Sequence, residues 1–384
     1  MGSSSNKGKN RKRFLHLRWR TALFPMLASL QSFSENLKNL QPMVKSVSVV
    51  DVARAAGVTP GSVSRALNGS KHVSPALRAK VTDAARRLGY QPNAQARGLR
   101  LGRSNTIGML VNDMRHPMYA SIIAGVEHEL SLHGRMLLLA DAHGEVSREK
   151  TIFDTFQRCA LDGVIISASY DPEVSMSTHY AGNRLPLVLI DRDVEGMDRV
   201  CLERRNALRL ATRHLLNLGH RRIALITPAL DRIPGGERAA GYDDAFRQAG
   251  LAADRRFIPR MQSPLQDGGE AMQRLLDLPQ PPTALVCLGT RLLSGALRTL
   301  RQRDLKVPHD FSVIAIGSTD MMAFANPPLT CLRVDLPSVG RAAARLMLRR
   351  LDSPATLPCE RVELQSELVI GESCGPPPGS HNGP

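Results

Sequence analysis

The stretch GVTPGSVSRALNG, residues 57–69, puts one guanidinium (Arg65) and several small hydroxyls on a short segment behind a tight turn. These groups make hydrogen bonds but hold no nucleophile and base together. Their chemistry is recognition, either as an ordinary surface helix or as a helix shaped to enter a DNA groove. Groups that could do catalysis are spaced wrongly for it. HELSLH, residues 128–133, resembles a zinc-protease motif, but its histidines stand five apart. That is about 140° around a helix, whereas a shared metal needs the four-residue spacing. GSVSR lacks the second glycine of a nucleophile elbow, and no phosphate-binding loop is present. The six cysteines (159, 201, 287, 331, 359, 374) include no close pair. That spacing fits a reducing cytosol rather than a zinc site or a disulfide framework. No enzyme activity, cofactor or metal is expected.

Charge singles out the same region. Residues 1–43 hold eight Lys/Arg and one Glu, and residues 44–104 hold eleven Lys/Arg and two Asp. The other 280 residues carry 32 basic and 32 acidic groups. A basic segment on a neutral body points to a polyanionic partner for that segment alone. No apolar run approaches the roughly 18 residues of a membrane helix. TALFPMLASL could pass for a short signal peptide, but its interior Pro25 and the missing small-x-small cleavage site argue against export. Residues 1–45 read instead as a disordered basic extension.

The elements that must position these groups follow from local signals. Ser48 is a good N-cap for a helix over Val49–Ala56, which Gly57 ends where the chain needs a positive φ. Thr59 caps a second helix that starts at Pro60, the one helical position where proline fits well. Ser74–Pro75 repeats the device for a third, with Leu77, Val81, Ala84, Ala85 and Leu88 as its apolar stripe and Gly89 as its stop. From Thr106 the pattern changes to apolar runs: TIGMLV, MLLLA, GVIIS, LVLI, RIALIT, ALVCL and SVIAI. Helix-like stretches such as Tyr119–Leu132, Ala207–Leu218, Arg238–Ala249 and Leu292–Arg301 separate them. Continuous apolar runs between helices mean parallel strands covered on both faces. Seven runs are too many for one small sheet, so two βαβ lobes sharing a cleft are expected. GPPPGSHNGP at the end reads as a flexible tail.

VSVVDVARAAGVTPGSVSRALNG, HVS, LGYQPNAQARGL and GRSNTIGMLV together resemble the N-terminus of the lactose-repressor/galactose-repressor family of bacterial regulators. The likeness continues in GVIIS, LIDRD, LGHRRIALIT, ERAAGYDDAF, GLAAD and NPPLT, and it spans residues 46–370. It implies a small all-α helix-turn-helix headpiece followed by an α/β two-lobed, periplasmic-binding-protein-like domain with parallel sheets. The second headpiece helix would enter the major groove, and a hinge helix would enter the minor groove. Pro60, Gly61 and Arg65 match base-reading positions. Arg65 could bond guanine O6 and N7 together, while Pro60 and Gly61 would read by contact or shape. Ser62, Ser64, Asn68 and His72 match phosphate contacts that set register. For Ser62 and Ser64 the alternative is a solvent-facing hydroxyl. Asn93, Arg97 and Leu99 fall in the hinge segment NAQARGLR, where Leu99 matches an apolar wedge that pries open a base step. Interdomain packing is the other use for Leu99. Gly98 departs from the family, and a glycine costs about 1 kcal/mol in a helix interior.

For the cleft the resemblance implies effector contacts at Tyr119, Asp191, Arg192 and Arg238, with Met118 replacing an aromatic neighbour of Tyr119. Two expected pairs of polar residues are absent, replaced by Gly289-Thr290 and Gly317-Ser318. Carboxylates and amides there would fix sugar hydroxyls. Arg115, Arg192, Arg204 and Arg238 all match cleft or near-cleft positions. Surplus guanidinium and missing carboxylate suggest an anionic sugar derivative, a sugar acid or sugar phosphate. A degenerate pocket without effector is the other reading.

The expected organisation is an extension to residue 45, a headpiece over 46–91, a hinge and linker over 92–104, a two-lobed domain over 105–371 and a tail over 372–384. A cytoplasmic homodimer would bind a palindromic double-stranded DNA operator. The rival is a two-lobed solute-binding protein, secreted or cytoplasmic, which would have no use for residues 46–100.

Overall fold

The computed structural model describes residues 47–67, 70, 72–90, 104–167, 180, 185–192, 194–228, 230, 233–261, 266–289, 291–317, 322, 324–353 and 357–379. The chain divides into two compact units, Met1–Asn93 and Ala94–Pro384.

In the first unit, α1 spans Val49–Ala56, α2 Pro60–Leu67 and α3 Pro75–Leu88. A capping box starts α1: Ser48 Oγ accepts from the Asp51 amide, and the Asp51 carboxylate accepts from the Ser48 amide. Gly57 ends it at φ 63°, a backbone shape that costs a side-chain-bearing residue far more. Thr59 Oγ1 accepts from the Ser62 amide at 3.3 Å, and Ser74 Oγ from the Leu77 amide at 3.3 Å. The three helices share a core of small residues, chiefly Val52, Ala56, Val63, Val81 and Ala84. Small side chains let short helices approach closely, so burying a modest area still holds the unit together.

The second unit holds two sheets. Strands β1 (Thr106–Val111), β2 (Met136–Asp141), β3 (Gly163–Ser167), β4 (Leu187–Ile190), β5 (Asp198–Leu202) and β10 (Arg361–Leu364) form the first, in the order β10-β5-β4-β3-β1-β2. All of its pairings are parallel. Strands β6 (Ile223–Ile226), β7 (Ala284–Leu288), β8 (Ser312–Ile316), β9 (Thr330–Arg333) and β11 (Glu367–Val369) form the second, with β11 antiparallel at one edge. Helices α4 (Met118–Leu132), α5 (Val146–Arg158) and α10 (Leu336–Asp352) cover the first sheet. Helices α6 (Arg204–Asn217), α7 (Ile233–Gln248), α8 (Gly269–Leu276) and α9 (Arg291–Gln302) cover the second. Strands β3, β7 and β8 are buried at every residue, which explains their unbroken apolar runs. The chain therefore passes between the lobes three times, at β5–α6, β9–α10 and β10–β11.

Helix pairs α4–α10, α6–α7 and α8–α9 meet backbone to backbone, the last where a Cβ on Gly295 would run into the Gly269 nitrogen. A Cβ on Gly340 of α10 would run into the Ile122 carbonyl of α4, and one on Gly241 of α7 into the Arg205 carbonyl of α6. The stretch after β11 corrects the expected tail. Ser373 is fully buried, with its hydroxyl on the Val313 carbonyl and the Thr330 amide. The buried His220 donates from Nε2 to the Gly375 carbonyl at 2.9 Å, with Nδ1 2.8 Å from Thr283 Oγ1. A proline-rich composition suggested a loose end, but these bonds tie it to the starts of β8 and β9 in the second sheet. Only residues 380–384 of the expected tail lie outside the described residues.

Candidate nucleic-acid interface and interlobe cavity

Helix α2 buries Val63 and Ala66 against α1 and α3. Helical geometry then turns Gly61 and Arg65, one turn apart, to the opposite side. Pro60 and Arg65 are exposed, and Gly61, Ser62 and Ser64 are half-buried. The Arg65 guanidinium donates to Ser62 Oγ at 3.4 Å, and Ser62 Oγ lies 3.0 Å from Thr59 Oγ1. That chain of contacts aims the guanidinium along the exposed face, and among the described residues no ion pair holds it back. Arg78 of α3 donates to the Ser70 carbonyl at 2.8 Å, and His72 is exposed. Asn68, Asn93, Arg97, Gly98 and Leu99 lie outside the described residues.

In the second unit a cavity of about 270 Å³ opens between the lobes, against all three crossovers. The β5–α6 crossover supplies Leu202, Arg204 and Leu208, the β9–α10 crossover Val334 and Leu336, and the β10–β11 crossover Ser366. His116, Pro117 and Met118 enter from the loop after β1, where ligands of parallel sheets commonly sit. Gly289 and Gly317 line it at the ends of β7 and β8, and Arg238 enters from α7. Thr290 and Ser318 lie outside the described residues.

Of the four cleft residues expected, Arg238 is in this wall, and its Nη1 lies 3.2 Å from Thr227 Oγ1. Tyr119 sits behind the wall, buried, with its hydroxyl 3.0 Å from Ser167 Oγ. Its ring meets His116 edge-on at 6.1 Å, so it backs that imidazole. Asp191 holds a left-handed backbone, φ 64°, and ion-pairs with Arg204. Arg192 donates to the Asp191 carbonyl at 2.9 Å. Neither Asp191 nor Arg192 reaches the cavity wall.

The guanidinium surplus is smaller than the count along the chain suggested. Arg204 is 7% exposed and bridges Asp191 of one lobe to Glu237 of the other, the latter at 3.1 Å. Arg115 points largely into solvent and pairs with Asp113 at 2.5 Å, holding that carboxyl below its usual range. Burial, with a smaller push from the Arg238 charge, drives the His116 imidazole down to about 4. His116 is therefore neutral near pH 7, able to donate from one nitrogen and accept at the other.

Sequence reasoning passed over His116, Ser121, Leu202, Leu336 and Ser366. His116 had a usable signal, since it lies in the short loop after a buried strand, where sheet ligands bind. The crossover residues had none, because they stand beside strands too short and too charged to read from pattern. Among the described residues no cluster of His, Cys, Asp or Glu could hold a metal ion, and no helix is long and apolar enough to cross a membrane.

Comparison with known proteins follows the same division. The family described as "Bacterial regulatory proteins, lacI family" matches residues 48–93, and "Periplasmic binding protein-like domain" matches residues 212–374. The chain is 33% identical over 322 residues to the HTH-type transcriptional repressor CytR of Escherichia coli strain K12, covering 83% of this chain and 94% of that protein. It is 32% identical over 321 residues to the ribose operon repressor of the same strain, covering 83% and 97%. Among solved structures, the lac repressor dimer bound to operator and the anti-inducer ONPF superposes with a TM-score of 0.77 at 25% identity. That match covers 86% of this chain and all of the other. The CelR–cellobiose complex superposes with a TM-score of 0.65 at 29% identity, covering 85% and 99%.

Proposed function

The chain belongs to the lacI family of bacterial regulatory proteins, and on that premise we propose that it represses transcription from a two-fold symmetric operator. It binds that operator as a homodimer, in the cytoplasm, under control of a small anionic effector in the interlobe cavity. The observation that carries the DNA reading is the exposed Arg65, set opposite the buried Val63 and Ala66 on a helix held by caps at both neighbours. Arg65 reads a guanine, Pro60 and Gly61 read shape, and Ser62, Ser64, Asn68 and His72 hold phosphates. Asn93 and Arg97 contact the DNA from the hinge, and Leu99 is its wedge.

A dimer follows from energetics. One headpiece buries too little surface for tight specific binding, and paired half-sites supply the rest. An apolar edge suited to self-association is present in the second unit, where Met136 (69% exposed) and Leu138 (40%) face outward from edge strand β2. The effector's anionic group sits on Arg238. Its binding changes operator affinity by its preference for one arrangement of the lobes, and by no more than that preference.

Selection of bound fragments from random duplex DNA at moderate salt tests this reading. Enrichment of a symmetric site with half-sites about one helical turn apart is expected. Binding that enriches no sequence and collapses as salt rises would leave the two-lobed unit as a solute-binding protein in its own right.

A further inference from the structure

We propose that the effector's body is apolar, a single hydrocarbon ring bearing one carboxylate, rather than a sugar acid or sugar phosphate. This rests on the reading of the cavity as the effector site with Arg238 as its anion seat, and it narrows what that site accepts.

Three observations carry it. The first is the wall. Met118, Leu202, Leu208, Leu332, Val334 and Leu336 all line the cavity. The polar side chains of the described lining are His116, Ser121, Arg204, Arg238 and Ser366. Arg204 is already engaged by Asp191 and Glu237. A polyol carries a hydroxyl on nearly every carbon, and each one moved against such walls gives up water without a replacement bond.

The second is the pair of strand ends. Gly289 and Gly317 bring no side chain to the cavity. A Cβ at 289 would stand 2.9 Å from the Ile316 carbonyl oxygen and against the end of Met322. A hydroxyl-binding amide or carboxylate at that position would need the backbone of β8 to move. At 289 the wall is closed to side-chain recognition by packing, and at 317 the left-handed backbone, φ 96°, disfavours any residue but glycine.

The third is the concentration of polarity at one end. Arg238 and His116 approach the cavity together, close enough for the Arg238 charge to act on the imidazole. Helix α4, fifteen residues long, starts at this end, where Pro117 offers no cap and His116 Nδ1 accepts from the Met118 amide at 3.4 Å, leaving Nε2 to donate. Its positive end adds to the guanidinium in favouring an anion. The neutral imidazole can donate one bond to the same carboxylate. A volume of about 270 Å³ is below the range of drug-sized pockets and suits one ring with a short acid arm.

The test is calorimetric titration of the full-length protein with four probes: cyclohexanecarboxylate, phenylacetate, gluconate and ribose. The apolar acids should bind at least tenfold tighter than gluconate. Arg238→Ala should weaken them at least tenfold, and Val334→Thr, which places a hydroxyl in the apolar wall at almost unchanged volume, should weaken them several-fold while sparing gluconate. Gluconate binding as tightly as the apolar acids, with the same dependence on Arg238, would overturn the apolar body and leave the anionic effector standing. Ribose binding as well as any acid, indifferent to Arg238→Ala, would overturn both. Failure of both apolar acids to saturate at about 1 mM would also overturn the proposal, since that is weaker than roughly 4 kcal/mol of binding.

Discussion

Arg65→Ala separates recognition from folding, because the structure lets the two effects be estimated independently. Arg65 is exposed, and its guanidinium touches Ser62 Oγ at 3.4 Å with no ion pair among the described residues. Nothing in the headpiece core depends on it, and alanine is the better helix former. The folded state should therefore change by no more than about 0.5 kcal/mol, the range of ordinary surface substitutions. A bidentate contact to guanine is worth about 1–3 kcal/mol of discrimination per base, a factor of about 5–150. With both half-sites affected, affinity for the selected operator should fall by roughly 2–6 kcal/mol. Fluorescence anisotropy with the operator, with symmetric single-base variants and with a random duplex would read this. The expected result is lost preference at one position per half-site, with random-duplex binding and its salt slope intact. If affinity fell equally on all DNAs and the salt slope dropped by about 1, Arg65 would be a phosphate contact and the base-reading argument would fail.

Three further outcomes are expected. Leu99→Ala should lose affinity for the cognate site while sparing salt-dependent non-specific binding, and equal losses on both DNAs would contradict the wedge. Arg204→Ala should leave two carboxylates facing each other between the lobes and cost about 3 kcal/mol, seen as a lower Tm in calorimetry. An unchanged Tm would mean that Arg204 is a solvated side chain. Stability should also fall in mild acid. His116, His214 and His220 are each held below the ordinary imidazole value, with burial as the largest cause. The unfolded chain takes up these protons near pH 6.5 and the folded chain only lower, so stability is full above pH 6.5 and lost below it. For His116, held at about 4, the loss amounts to roughly 3 kcal/mol once pH is below 4. Denaturant midpoints that stay flat between pH 7 and 5 would contradict this burial.

What could be read from the chain divides along the range of the forces involved. Helices α1, α2 and α3 begin and end where Ser48, Gly57, Thr59–Pro60, Ser74–Pro75 and Gly89 indicate, because capping acts within one turn. Strands β1, β3, β4, β7 and β8 coincide with the runs TIGMLV, GVIIS, LVLI, ALVCL and SVIAI, because a strand covered on both faces has no polar positions to interrupt it. Strands β5, β9, β10 and β11 escaped notice for the opposite reason. Arg361 pairs with Arg199 and Glu367 with Arg333, across gaps far longer than any local pattern. Short strands with charged outward residues acquire their identity only when the chain returns to meet them. The cavity inherits this difficulty, since Leu202, Leu336 and Ser366 stand at those returns. Its charge inherits it too. Arg204 looked like a cation offered to a ligand, and the crossover into α6 instead turns it inward between Asp191 and Glu237. A cleft's electrostatic character is set by which charges the crossovers pair off, so counting arginines along the chain overstates its pull on an anion. Arg238, which donates to Thr227 Oγ1, stands at one end of an apolar chamber, and that asymmetry gives the ligand an orientation as well as a charge.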